Sequence, residues 1–333
     1  MKNNNIYEVE NLHKHFSTYG GLLQKKIGEV RAVDGVSFSI EKNEVLGLVG
    51  ESGSGKSTVG RLLMGLIEPT EGIIRFKGKN ILEMTKAERL SLRKDTQMVF
   101  QDPFSSLNPR MPVGDTIKDS LEVLKLFDKK GMERRINEVL DLVGLDKNIV
   151  KKYPHEFSGG DRQRIGIATA LVVEPDFIFL DEPVSALDVS AQAQILNLIK
   201  YIQKELKLTI LIVAHDLSVV EYVSDRVAVM YFGDIVEIAP TNDLYRESKH
   251  PYTQALMSAI LTIDPHLSRK RKEIILEGEI PSPLNIPSGC KFHTRCHKYI
   301  GDVCKEKVPA LKDSGNSHCV ACHLYDGELD HRK

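Results

Sequence analysis

Val45-Leu46-Gly47-Leu48-Val49-Gly50-Glu51-Ser52-Gly53-Ser54-Gly55-Lys56-Ser57-Thr58 decides the fold: five mostly apolar residues, a glycine-rich bend, then Lys-Ser-Thr opening an amphipathic stretch. A short apolar run without polar alternation reads as a strand buried on both faces, the habit of parallel sheets. The bend satisfies G-x-x-x-x-G-K-[S/T] in its required strand-to-helix setting. Gly50, Gly53 and Gly55 let the backbone curl into a nest whose N–H groups, with a helix N-terminus behind them, point at phosphate oxygens. Ser52, Ser54 and Thr58 belong to the same cradle. Lys56 is placed to reach the β- and γ-phosphates, and the Ser57 hydroxyl to ligate Mg²⁺.

Outward from this loop, β-branched runs at 97–100, 177–180, 209–214 and 227–230 alternate with stretches of helical periodicity. That pattern predicts an α/β fold with a mainly parallel core sheet. Residues 37–40 and 73–76 read as antiparallel strands, whereas 116–126 and 132–143 carry apolar residues at helical spacing with no strand between them. The expected organisation is a nucleotide-binding core over 1–101 and 161–240, a helical subdomain over 102–160, and an appended, irregular tail over 241–333. Prolines at 251, 265, 281, 283, 287 and 309 mark that tail. The run 177–180 ends in Asp181-Glu182-Pro183, which puts carboxylates at the C-terminal edge of the sheet, where such sheets bind ligands. Asp181 suits Mg²⁺ ligation, and Glu182 is placed to polarise the water that attacks a γ-phosphate.

The 333 residues carry 45 Lys plus Arg against 46 Asp plus Glu, a net charge of -1 that argues against a dedicated nucleic-acid binder. Apolar runs such as 208–214 and 227–233 fall far below the roughly 20 residues needed to cross a bilayer as helix. The first residues, MKNNNIYEVE, have no apolar core of a signal peptide, so a cytoplasmic location is expected. All five cysteines lie in the last 44 residues, which points to metal ligation rather than disulfides. The spacing C-x5-C-x7-C, then x17 to Cys322, offers four thiolates, with Cys319 forming a C-x2-C pair at the end. Tetrahedral Zn²⁺ and an iron–sulfur cube both remain open on that spacing. His293, His297, His318 and His323 stand nearby, and the basic run Arg269-Lys270-Arg271-Lys272 reads as a solvated loop.

The order of phosphate loop, Gln101 after an apolar strand, Ser158-Gly159-Gly160, Asp181-Glu182, Ser185-Ala186-Leu187-Asp188 and His215 resembles the nucleotide-binding subunits of ATP-binding cassette (ABC) transporters over about residues 6–240. The resemblance implies ATP hydrolysis by two cassettes facing head to tail, each ATP lying between the phosphate loop of one and the signature of the other. It implies Gln101 as a contact to Mg²⁺ and to the attacking water, Ser158, Gly159 and Gly160 as a clamp on the γ-phosphate across the dimer, His215 as a γ-phosphate switch, and Asp188 as part of the nucleotide site. The match at Lys14-His15-Phe16 suggests Phe16 as the aromatic that stacks on adenine, with Tyr19 as its rival and a long loop over 17–28. Asp161 departs from the family, which commonly has Gln there; a carboxylate beside phosphates costs Coulomb energy unless Arg162 or Arg164 offsets it.

His250-Pro251-Tyr252-Thr253-Gln254-Ala255-Leu256, Gly278-Glu279-Ile280-Pro281-Ser282-Pro283 and the cysteines resemble the C-terminal region of dipeptide and oligopeptide importer ATPases. Nickel-importing relatives share part of it. This resemblance implies a [4Fe-4S] cluster on Cys290, Cys296, Cys304 and Cys322. It further implies a second cassette, two transmembrane permease subunits, an extracytoplasmic peptide-binding protein as an indirect partner, and a peripheral place on the cytoplasmic face of the membrane. Asp102-Pro103-Phe104-Ser105-Ser106-Leu107-Asn108-Pro109 matches the same branch, and Phe104, Leu107 and Met111 are candidate exposed contacts to the permease. The alternatives are a nickel or other small-solute importer and, more distantly, a soluble non-transport ABC ATPase. The last would need a long insertion where only about 100 residues separate Lys56 from Ser158.

Overall fold

The computed structural model describes residues 4–20, 25–102, 107–259, 274–278 and 281–329. Phe104, Glu279, Ile280 and the run Arg269-Lys270-Arg271-Lys272 lie outside them. The expected parallel core is present: β3 (Val45–Val49), β6 (Thr96–Val99), β7 (Phe177–Asp181), β8 (Thr209–Val213) and β9 (Arg226–Tyr231) run parallel in the order β9-β3-β8-β7-β6. Every residue of β3, β7 and β8 is buried, so none of these strands has a polar face to show in its sequence. Leu48 of β3 and Asp181 of β7 both register with Val213 of the intervening β8, which levels the two strand ends at one edge of the sheet.

A second sheet, ordered β2-β1-β4-β5, is antiparallel throughout. Its long members β1 (Asn5–Gly20) and β2 (Lys25–Glu41) pair along their length, and β4 (Glu71–Phe76) and β5 (Lys79–Asn80) complete it. The sequence suggests only 37–40 and 73–76 here, because β1 and β2 slip register several times and each slip breaks the period-two pattern. Helix α1 (Lys56–Leu63) follows the phosphate loop. Helix α2 (Lys86–Asp95) buries only Leu92 and so shows no apolar stripe; its local sign is the Thr85/Glu88 capping box.

The helical part holds α3 (Val113–Leu124), α4 (Lys129–Val143) and α5 (Gly159–Leu171), with Val113, Ile117 and Leu121 of α3 buried at four-residue spacing. Leu107, expected as an exposed contact, is 4% exposed and belongs to the same apolar cluster as those residues. It is core, and Met111 is half-buried. Further on come α6 (Val189–Leu206) and α7 (Leu217–Val223).

The stretch expected to be irregular contains α8 (Thr241–Arg246) and α9 (Pro251–Ser258). It also returns to the core: β10 (Asp234–Pro240) lies antiparallel to β9, β12 (Cys319–Val320) pairs with β10, and β11 (Lys312–Asp313) with β12. The chain's last strands therefore extend the core sheet. Glu237, fully buried in β10, accepts the backbone N–H groups of Lys249 (2.6 Å) and His250 (3.0 Å), while His318 Nε2 stands 2.6 Å from its carboxylate. His250 caps α9, its Nδ1 accepting the Tyr252 N–H at 3.1 Å.

Burial, opposed by Glu237, pulls the His250 pKa from 6.5 down to about 4. Between those values the unfolded chain binds the proton that the folded chain refuses, so stability falls as pH drops through this window. We expect the wild-type urea midpoint to fall between pH 7.5 and pH 5, and His250→Asn, which keeps a capping acceptor, to show a shallower fall from a lower starting midpoint. Equal pH slopes in the two proteins would rule out His250 as the source.

Candidate active site

The phosphate loop forms because two of its glycines leave no room for a side chain. Gly50 (φ 147°) and Gly55 (φ 106°) would each drive a Cβ to 2.1 Å or 2.0 Å from a backbone oxygen, of Met230 and Ala32 respectively. Lys56, 6% exposed, donates its ammonium to the carbonyls of Gly50 (2.7 Å) and Glu51 (2.8 Å) and to Ser54 Oγ (3.4 Å). Burial lowers its pKa, and Glu182, Asp181 and Glu51 act in the opposite direction to keep it charged. The result is a cation held against the backbone of the glycine bend, where a polyphosphate site needs one.

Ser57, at the start of α1, donates its hydroxyl to Asp181 Oδ1 at 2.7 Å. A hydroxyl and a buried carboxylate brought together in this way are oxygen donors of the kind Mg²⁺ accepts. Burial raises the Asp181 pKa, with Glu182 adding to it, while Ser57, Arg61 and Lys56 pull it back. One residue on, Glu182 sits in the left-handed region (φ 48°), anchored by its N–H to Val213 O at 2.9 Å. Its Oε2 accepts Gln101 Nε2–H at 2.8 Å and lies 3.6 Å from His215 Nδ1. Three residues that the sequence scatters over more than 100 positions thus meet around one carboxylate oxygen, beside the phosphate loop. A backbone conformation this unfavourable for a non-glycine residue is held only where its surroundings enforce it, which is typical of reactive positions.

Ser158 caps α5 and stands exposed, its Oγ donating to Asp161 Oδ2 at 2.7 Å and accepting the Asp161 N–H at 3.2 Å. Asp161 therefore holds the hydroxyl proton that a phosphate would otherwise receive. Arg164 turns away to Val143 O (2.7 Å) and Gln194 Oε1 (3.2 Å), and Arg162 reaches Pro154 O at 2.7 Å. Asp188 caps α6 by accepting the Ala191 N–H at 2.9 Å, the contact that chiefly lowers its pKa. Phe16 lies on β1 opposite Val30, 41% exposed, with the Lys14 ammonium over its ring at 5.1 Å from the centroid; Tyr19 is also exposed.

Two side chains of the tail that the motif reading passes over hold the phosphate loop. The Tyr252 hydroxyl accepts the Glu51 N–H at 2.8 Å, and Arg295 Nη1 lies 3.1 Å from both carboxylate oxygens of Glu51 and 3.4 Å from the Tyr231 hydroxyl. Arg295 is 7% exposed, and its Nε is buried without a partner. These contacts span 201 and 244 residues, beyond the reach of any local pattern. Removing the guanidinium leaves Glu51 half-buried and unpaired inside the loop. We expect Arg295→Ala to raise the nucleotide concentration for half-saturation about tenfold, or ~1.4 kcal/mol, with Arg295→Lys intermediate, as read by fluorescent-nucleotide titration.

With this geometry in place, the likenesses to known proteins are specific. A family model described as ABC transporter matches residues 33–185, and one described as oligopeptide/dipeptide transporter, C-terminal region, matches 236–304. The chain is 51% identical to the oligopeptide transport ATP-binding protein AppF of Bacillus subtilis (strain 168) over 321 residues, 96% of this chain and 97% of that one. Among solved structures, cbiO1 of Clostridium perfringens, part of the ABC transporter complex cbiONQ, superposes with a TM-score of 0.63 at 29% identity, covering 74% of this chain and 92% of that chain. The dimeric cassette MJ0796, bound to ADP and Pi in a post-hydrolysis state, gives 0.62 at 25% identity, covering 71% and 98%. Half-identity over nearly the whole length of an oligopeptide transport ATP-binding protein, joined to a phosphate loop and glutamate set at one sheet edge, shows that the chain belongs to the ATP-binding subunits of ABC transporters, in the oligopeptide/dipeptide branch, and is an ATPase.

Proposed function

We propose that this chain powers the import of di- or oligopeptides, working as one of two cassettes on a pair of permease subunits at the cytoplasmic face of the membrane. The observation that carries the chemistry is the convergence of Gln101 and His215 on Glu182 beside Lys56 and Ser57. The cargo class rests on the likeness to AppF and on the matched C-terminal region. Among the described residues no helix is long and apolar enough to cross a membrane, so coupling to transport needs separate permease subunits. The extracytoplasmic peptide-binding protein would deliver cargo to those subunits, and the cassette would not touch the cargo itself.

In this reading the amides of residues 50–58 and the Lys56 ammonium bind the β- and γ-phosphates, and Phe16 stacks on the adenine. Ser57 and Asp181, with Gln101 near, would hold Mg²⁺, whose charge would offset that of the phosphate oxygens. Glu182 orients the attacking water and takes up its proton, while His215 and Gln101 hold that carboxylate and contact the γ-phosphate side. Ser158 and Gly159, exposed at the start of α5, and the half-buried Gly160 fit a clamp on the ATP of a second cassette; Asp188 would lie at the same interface. Closure on ATP and reopening after hydrolysis would pass to the permease through the helical subdomain over 102–160.

The tail fits a metal cluster. Cys322, Cys296 and Cys304 lie near enough to oppose ionisation of Cys290, and Cys304 near enough to oppose that of Cys296 and Cys322, whereas Cys319 faces Asp313 and Arg226 instead. Burial first, then these neighbours, push Cys290 up to about 12 and Cys322 up to about 11, so thiolates at these positions call for a bound cation. The N–H groups of Phe292, Lys298 and Leu324 donate to the sulfurs of Cys290, Cys296 and Cys322, as in sites that stabilise anionic sulfur. The choice of the [4Fe-4S] cluster over Zn²⁺ rests on the likeness of the tail to the oligopeptide/dipeptide transporter C-terminal region. When bound, the cluster would cross-link the tail and take no part in hydrolysis.

Glu182→Gln should bind ATP with near wild-type affinity while turnover falls at least about a hundredfold, about 2.7 kcal/mol of barrier; wild-type turnover in this variant would remove Glu182 from the chemistry. Anaerobically purified protein should contain about four irons and four acid-labile sulfides per chain, lost in Cys304→Ala. Stoichiometric zinc would overturn the cluster and leave the ATPase standing.

A further inference from the structure

His13 and His15 stand two residues apart on β1, and Asp34 lies opposite His13 on β2. Nδ1 of His13 and Nε2 of His15 are each 3.2 Å from the same atom, Oδ1 of Asp34, and the three atoms all lie within 4.8 Å of one another. A charge-assisted hydrogen bond from imidazolium to carboxylate settles nearer 2.7–2.9 Å. By contrast, ligand atoms held about 2.05 Å from a tetrahedral metal ion are about 3.3 Å apart.

The surroundings are those of metal-ligating histidines, whose second ring nitrogen usually faces an oxygen acceptor. Nε2 of His13 lies 3.2 Å from Asn11 Oδ1, and Nδ1 of His15 lies 3.9 Å from Glu29 Oε2. The other carboxylate oxygen of Asp34 accepts from the Lys291 ammonium at 2.9 Å, which fixes the carboxylate and leaves Oδ1 to the two rings. Lys291 also reaches Asp234 at 2.7 Å, and Arg31 stands 3.6 Å from Asp34. The three side chains are 14–20% exposed, sheltered yet reachable from solvent.

We propose that His13, His15 and Asp34 bind a divalent transition-metal ion of the zinc class, at a site separate from the tail cysteines and from the Mg²⁺ of the ATP site. Three protein donors leave the remaining position to water. The ion would clamp β1 to β2 just before Phe16 and, through Lys291 on Asp34, tie that hairpin to the tail.

Co²⁺ titration of the full-length chain separates this site from the thiols, because nitrogen and oxygen donors give ligand-field bands without the intense thiolate charge-transfer band. We expect about one equivalent of Co²⁺ bound in this way, displaced by Zn²⁺, with affinity reduced at least tenfold in His13→Gln and in His15→Gln. Zn²⁺ should raise the melting temperature of the wild type and not of these variants, whose melting temperatures in chelator should stay near wild type. Asp34→Asn adds a third test where it folds. Co²⁺ binding only with thiolate bands, no binding, or binding unchanged in both histidine variants would overturn the proposal.

Discussion

One hydrogen bond, 2.7 Å from Ser57 Oγ to Asp181 Oδ1, joins the two halves of the active site, and most of the core exists to place its two ends. Ser57 is fixed by a glycine bend at the end of β3 and Asp181 by the end of β7, with β8 between them. Because Leu48 and Asp181 share Val213 as their register partner, a slip of one residue in either strand would carry the carboxylate away from the hydroxyl and turn alternate side chains to the wrong face. The mainly apolar composition of these strands resists such a slip only through burial. The right register is therefore secured by the strands' hydrogen bonds and by the loops at their ends, including the strained Glu182 backbone anchored to Val213.

What the sequence discloses and what it hides follow from this arrangement. The phosphate loop, Asp181-Glu182 and the apolar strands are legible because each is a local pattern whose chemistry is complete within about ten residues. Gln101 and His215 are named by their order along the chain, and their meeting on Glu182 has its cause in neighbouring strand ends. The β1–β2 hairpin is hidden because its register shifts erase alternation, and α2 because a mainly charged helix with one buried residue carries no stripe. Thr85-x-x-Glu88 was its one legible sign. Leu107 misleads for the opposite reason: an apolar residue in a loop reads as exposed until the helices that cover it are in place.

The tail is the part furthest from its sequence reading. Its prolines and cysteines suggest an appendage, yet its residues reach inward at four points: Tyr252 and Arg295 to Glu51, Lys291 to Asp34 and Asp234, and His318 to Glu237. Each is a polar contact in a sheltered setting, where a missing partner is costly and a satisfied one fixes geometry. The aromatic rings of Tyr231, Tyr252 and Phe292 fill the space between, with centroids 4.6 to 5.4 Å apart.

Contacts of this kind make the tail and the phosphate loop thermodynamically reciprocal. Arg295 immediately precedes Cys296, and Lys291 immediately follows Cys290, so whatever orders those thiols also orders the cation on Glu51 and the cation on Asp34. If ordering the tail favours the loop conformation that binds nucleotide, then bound nucleotide must favour the ordered tail by the same free energy. The coupling needs no long pathway, since one ion pair and one hydroxyl join the two sites directly. A metal bound by those cysteines, as proposed above, would therefore act as a structural staple felt at the phosphate loop through the Glu51 contact, without entering the hydrolysis itself.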